Sequence, residues 1–104
     1  MSLRPRLEAA LAAGQDSALL RFTLGDLLFK AGELDTAIHH LQQAVALDPQ
    51  YSAAWALLGR SQLKAGQPQA AHETLTQGLA VAQAQGDRQA ERSMQVFLKR
   101  IDRR

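Results

Sequence analysis

WALLGRSQLKAGQPQAAHETL, residues 55–75, reads as two helices folded back on each other across a glycine turn. Leu57, Leu58 and Leu63 give the first helix an apolar side, and Gly59 leaves a gap in it where another helix can come close. Ala65-Gly66 stops that helix, because glycine takes the left-handed conformation that closes a helix end. Gln67-Pro68 restarts the chain, with proline at a first helical position where its missing N–H costs nothing. Ala71 and Leu75, one helical turn apart, then face back toward the first helix.

The same unit stands upstream. Sliding the sequence by one unit lays Leu24-Gly25 on Leu58-Gly59, Lys30-Ala31-Gly32 on Lys64-Ala65-Gly66, Ala37 on Ala71 and Leu41 on Leu75 without a gap. A helix–turn–helix period of about 34 residues with this residue pattern resembles the tetratricopeptide repeat (TPR) family. The repeat over residues 52–85 has Trp55, Leu58, Gly59, Ala71 and Leu75 at signature places, but Gln62 where tyrosine is usual and Gly78 where alanine is. The repeat over residues 18–51 has Leu24, Gly25, Ala37, Leu41, Ala44 and a closing Asp48-Pro49, and departs at Arg21 and Leu28. The resemblance implies an all-α, right-handed solenoid of antiparallel helix pairs, with about six helices in one domain. Residues 3–14 would cap one end and residues 87–104 the other.

Composition agrees. At 104 residues and 46% hydrophobic, with alanine and leucine dominant, the chain has room for one modest helical core and none for a catalytic domain with a separate lid. A formal net charge of +2 predicts neither a nucleic-acid nor a membrane partner. The absence of cysteine excludes disulfides and thiolate metal sites and fits a reducing compartment. No apolar run is long enough to span a bilayer, and the N-terminal residues lack the core of a secretory signal, so a soluble, cytoplasmic protein is expected.

In chain order, the first helix is expected over Pro5 to Ala13, with Leu3, Leu7, Ala10 and Leu11 on one face and Gly14 as terminator. Asp16 or Ser17 caps the next helix, which runs to about Ala31. Leu34 to Leu47 is the third, apolar along Ile38, Leu41 and Val45 with Ala37 or Ala44, and Asp48-Pro49 ends it. The fourth spans about Tyr51 to Ala65 and the fifth Pro68 to about Gln83. Gly78 inside the fifth costs about 1 kcal/mol against alanine, so a closely approaching neighbour is expected there. Gly86-Asp87 breaks the chain again before a helix over Arg88 to Arg103, whose buried stripe is Ala90, Met94, Phe97, Leu98 and Ile101 and whose outer side shows Arg88, Arg92, Lys99 and Arg103. Two repeats fall short of the usual minimum of about three, so the flanking helices are needed for stability.

No constellation suited to catalysis or to holding a cofactor or metal emerges. His39 and His40 are adjacent, point about 100° apart on a helix and cannot chelate one ion together. His72 has no carboxylate or histidine one turn further on. Neither a nucleophile elbow nor a phosphate-cradling glycine loop occurs.

The family resemblance implies a non-catalytic module that binds a protein or peptide segment in a concave groove lined by the first helix of each repeat. In this register the groove places are Leu19, Phe22, Asp26, Phe29 and Lys30, then Ala53, Ala56, Arg60, Leu63 and Lys64, with Asp87, Ala90 and Met94 added by the closing helix. Two readings stand for Phe22 and Phe29: core packing, for Phe22 against the first helix, or an exposed interaction patch. Two also stand for Arg60, which with Lys64 could receive an acidic segment or could be neutralised by Asp26 of the preceding repeat. The lysine–asparagine clamp by which some family members grip chaperone tails is not matched, since Phe22, Asp26 and Leu57 occupy those places and the chain contains no asparagine. The alternative to groove binding is self-association, a homodimer or a scaffold unit of a larger assembly. Nucleic-acid binding through Arg88, Arg92, Lys99, Arg100, Arg103 and Arg104 is disfavoured, because Asp87, Glu91 and Asp102 dilute the patch and basic residues near a helix C-terminus also complement its dipole.

Overall fold

The computed structural model describes residues 3–103; Met1, Ser2 and Arg104, the last cation of the terminal basic cluster, lie outside the described residues. Six helices follow in order: α1 (Leu3–Ala12), α2 (Ala18–Lys30), α3 (Leu34–Leu47), α4 (Ser52–Lys64), α5 (Pro68–Gln85) and α6 (Arg88–Asp102). Boundaries that rest on a named stop signal fall where the sequence puts them, as at Leu47 before Asp48-Pro49. Two differ. Helix α1 starts at Leu3, because Pro5 fits in the first turn, where no backbone N–H is needed. Helix α5 runs two residues past Gln83, to the left-handed Gly86 (φ 71°) that accepts the end of the helix.

Each helix packs on the next, and α4 also touches α2 on one side and α6 on the other. Helices α3 and α5 make no such contact, so the outer row is splayed and the inner row is drawn together. A stack built this way curves, with α2, α4 and α6 on its concave side. Its dimensions are 41 × 28 × 20 Å.

Glycine permits this closeness. A Cβ on Gly25 would stand 2.7 Å from Leu41 Cγ, and one on Gly78 2.6 Å from both Met94 Sδ and Trp55 Cβ. The glycine inside α5 thus has the close neighbours anticipated for it. The core falls into three linked clusters. Leu24, Leu28 and Ala37 are covered by Leu7 and Leu11 of α1. Ile38, Leu41, Leu57 and Leu58 join the two repeats. Leu75, Ala82, Ala90 and Met94 attach α6, flanked by Trp55, Phe97, Leu98 and Ile101.

Repeat 1 differs from repeat 2 at one anchoring side chain. The Trp55 indole N–H donates to the Pro49 carbonyl at 2.9 Å, tying α4 to the turn before it. The corresponding Arg21 does the same work with charge: its guanidinium donates to both oxygens of Asp16 (2.9 and 3.1 Å) and lies 3.0 Å from His40 Nδ1. Ser17, not Asp16, caps α2, accepting from the Leu20 N–H. Gln62, in the usual tyrosine place, is 5% exposed, and its Oε1 has no hydrogen-bond partner. Its counterpart Leu28 is fully buried among apolar neighbours.

At the N-terminal end, α1 buries no residue completely, and Leu3 stays half exposed, off the apolar face expected for it. Besides Leu7 and Leu11, an ion pair holds it: Arg4 reaches across to Glu33, at 2.5 and 3.1 Å.

Candidate functional site

The concave side carries a depression of about 340 Å³ lined by Phe22 and Asp26 of α2, Ala53, Ala56, Leu57 and Arg60 of α4, and Gln89, Ala90 and Ser93 of α6 with its cap Asp87. Its floor is made by alanines. Ala56 and Ala90 sit one and two repeat lengths after Phe22, so the column begins with a large ring and continues with methyl groups. That difference leaves a hollow beside the ring. Phe22 is half-buried, between the two placements considered for it. It packs on the cluster around Ile38 and Leu41, it stands 5.0 Å from the Tyr51 ring, and one side still faces the depression.

Of the ten expected groove residues, Phe22, Asp26, Ala53, Ala56 and Arg60 line this depression. Leu19 is 66% exposed, outside it. Phe29, Lys30, Leu63 and Lys64 belong to the C-terminal turns of α2 and α4, beyond the hollow. Met94 is fully buried, as its place in the stripe of α6 implies, and not at the groove place also expected for it. Gly78 has no side chain, and the Met94 sulfur occupies the space a Cβ would need there, while Ser93 lines the hollow.

The charges also arrange themselves differently. Asp26 does not neutralise Arg60; its carboxylate accepts from Lys30, one turn on in the same helix, at 2.9 Å. The i,i+4 partner is nearer and costs less ordering than one on another helix. Arg60 Cζ instead stands over two aromatic rings, 5.1 Å from the centre of Phe29 and 5.5 Å from that of Phe97. Lys64 stands 5.2 Å above Phe29 and Arg100 5.0 Å above Phe97. A row runs Lys64, Phe29, Arg60, Phe97, Arg100 across the edge of the concave face. At the opposite end Asp87 caps α6, accepting from the Ala90 N–H (3.1 Å) and the Ser52 hydroxyl (2.6 Å), and these bonds hold its carboxyl below the usual range.

Sequence reasoning placed Phe97 in the buried stripe of α6 and left Arg100 among terminal cations. The signal for Phe97 was present, since it stands one repeat length after Leu63 and two after Phe29, in a column already assigned to the groove. The counterparts of Arg100 in the repeats are the turn glycines Gly66 and Gly32, which carry no side chain, so only the packing of α6 reveals it. A second hollow, lined by Pro68, Gln69, His72, Glu73 and Ile101, lies between α5 and α6, with His72 Nε2 3.5 Å from Asp102. Among the described residues no group of three or more histidines or carboxylates is placed to hold a metal ion, and no helix is long and apolar enough to cross a membrane.

Comparison with known proteins matches this architecture. Residues 28–91 match the family described as tetratricopeptide repeat. A TPR repeat-containing protein of Pseudomonas aeruginosa is 50% identical over 97 residues, covering 93% of this chain and 92% of the relative. The solution structure of a protein from Bordetella parapertussis superposes with a TM-score of 0.85 at 43% identity, covering 99% of this chain and 90% of that one. The crystal structure of a tetratricopeptide repeat domain protein from Salinibacter ruber, 21% identical, shares the fold, with a TM-score of 0.76 over 83% of this chain and 97% of its own.

Proposed function

Because the chain belongs to the tetratricopeptide repeat family, whose fold is generally a protein-interaction module, we propose that it is a non-catalytic binding module that holds a segment of another protein against α2, α4 and α6. The observation that carries this reading is the hollow between Phe22 and the alanine column of Ala53, Ala56 and Ala90. A packed end-to-end scaffold would have no use for an open depression lined by small side chains, whereas a bound segment can set one or two of its own side chains there.

Self-association through the apolar concave face has less support. The Phe29 ring is covered by Arg60 and Lys64, and the Phe97 ring by Arg60 and Arg100. Two copies pairing through those rings would bring like charges together.

The test is affinity capture from a lysate of the source cells with immobilised wild type and with Ala56→Trp, which fills the hollow from its floor. Both must melt cooperatively. Proteins retained by the wild type and lost from the variant are expected. Identical capture by both would overturn groove binding, and a stable dimer in sedimentation that Ala56→Trp leaves intact would favour assembly.

A further inference from the structure

Lys64, Arg60 and Arg100 form a row of three cations with no carboxylate within ion-pair distance among the described residues. Two of them share the Phe29 ring and two the Phe97 ring, so successive charges stand within twice a cation–π distance of each other. The carboxylates of the same face are engaged elsewhere: Asp26 with Lys30, and Asp87 with Ser52 and the Ala90 N–H. An aromatic face holds a cation in place by its quadrupole but removes none of its charge, and all three cations remain exposed. The row is therefore preorganised, positive and uncompensated, and it adjoins the hollow through Arg60, which belongs to both.

Resting on groove binding as read above, we propose that the bound segment is acidic, presenting at least two aspartate or glutamate side chains along Lys64, Arg60 and Arg100 and a small apolar side chain in the hollow beside Phe22. Arginine suits the task because its planar fork stacks on a ring with one face and keeps its edge N–H groups free to donate to a carboxylate. Discrete side-chain carboxylates fit better than a continuous phosphate chain. Asp26 and Asp87 line the same depression and would repel a backbone charged along its whole length.

The experiment is selection from a library of random displayed peptides, both ends joined to carrier so that no free terminal carboxylate takes part. The baits are wild type, Ala56→Trp and Arg60→Gln/Arg100→Gln, each verified as folded by its circular dichroism melt. Peptides selected on wild type are synthesised with blocked ends, together with versions in which every Asp and Glu is replaced by Asn and Gln.

The proposal expects enrichment of Asp and Glu, binding weakened about tenfold or more by the amide replacements and by the double variant, steep weakening with salt, and loss on Ala56→Trp. Peptides that Ala56→Trp rejects but that are neutral, or indifferent to the double variant, would overturn the acidic assignment and leave groove binding standing. Peptides indifferent to all three changes would overturn both. A failure to enrich any sequence class would overturn the acidic assignment, as would tighter binding of a single-stranded oligothymidylate than of the best peptide.

Discussion

Leu75 occupies the notch that Gly59 leaves open: a Cβ on Gly59 would stand 2.5 Å from Leu75 Cγ, well inside contact distance. Gly25 and Leu41 repeat the relationship at the same spacing, so the two hairpins are locked by one device used twice.

Gly59→Ala should therefore destabilise the fold, against the helix-propensity gain of about 1 kcal/mol that alanine brings elsewhere. Overpacking costs about 1–3 kcal/mol, leaving a net loss near 1 kcal/mol, with more for Gly59→Leu. Urea denaturation measures it. In a double-mutant cycle with Leu75→Ala the two changes should be less than additive, since the cavity from one accepts the methyl of the other; strict additivity would deny the contact.

Gln62→Leu should stabilise. The glutamine amide is buried with its Oε1 unpartnered, and an unsatisfied buried polar group costs about 1–3 kcal/mol. The counterpart place in repeat 1 already accepts a leucine, Leu28. A gain of about 1 kcal/mol or more in thermal or urea unfolding is expected, and a loss would mean that the amide is satisfied in solution.

Stability should fall with acid in two stages. Burial, with Arg21 and then His39 adding to it, lowers the folded-state affinity of His40 for a proton. Its contribution is full above the unfolded histidine value and is lost as pH falls below about 6.5 toward the lower folded value. The Arg21 and Arg4 guanidiniums hold Asp16 and Glu33 low, and the Ser52 hydroxyl holds Asp87 low. Their contributions are present above the usual carboxylate range and are lost as pH falls through it, below about 4.5. Melting temperature against pH should show both stages, and His40→Gln should remove the first alone.

Trp55→Phe should cost about 1 kcal/mol or more, because phenylalanine cannot donate to Pro49 and lacks the second ring of the indole that packs beside Leu75 and Met94. Thermal unfolding of the variant checks it. An unchanged melting temperature would show that this tie between α4 and its preceding turn carries no energy.

The fold was legible in the sequence wherever a local signal did one job. Gly66, Pro68, Asp48-Pro49 and the cap Asp87 each mark an end that the structure keeps. The gap left by Gly78 was also foreseen, though not that the Met94 sulfur would occupy it. Repeat register carries no information about which side chain fills the place of a missing Cβ. Charge partners were the least legible. Asp26 had two cations within reach on paper, and only the geometry showed that Lys30 takes it and that Arg60 settles on Phe29 and Phe97.

The loose hold on α1 has a consequence in time as well as in space. With no residue fully buried and one long-range ion pair, its amides should exchange with solvent deuterium by local opening, well before the amides of α4, whose Leu57, Leu58, Gly59, Ser61 and Gln62 are all buried. Exchange would then sweep inward from the N-terminal end, and a single melting curve would report the inner helices while passing over the first one.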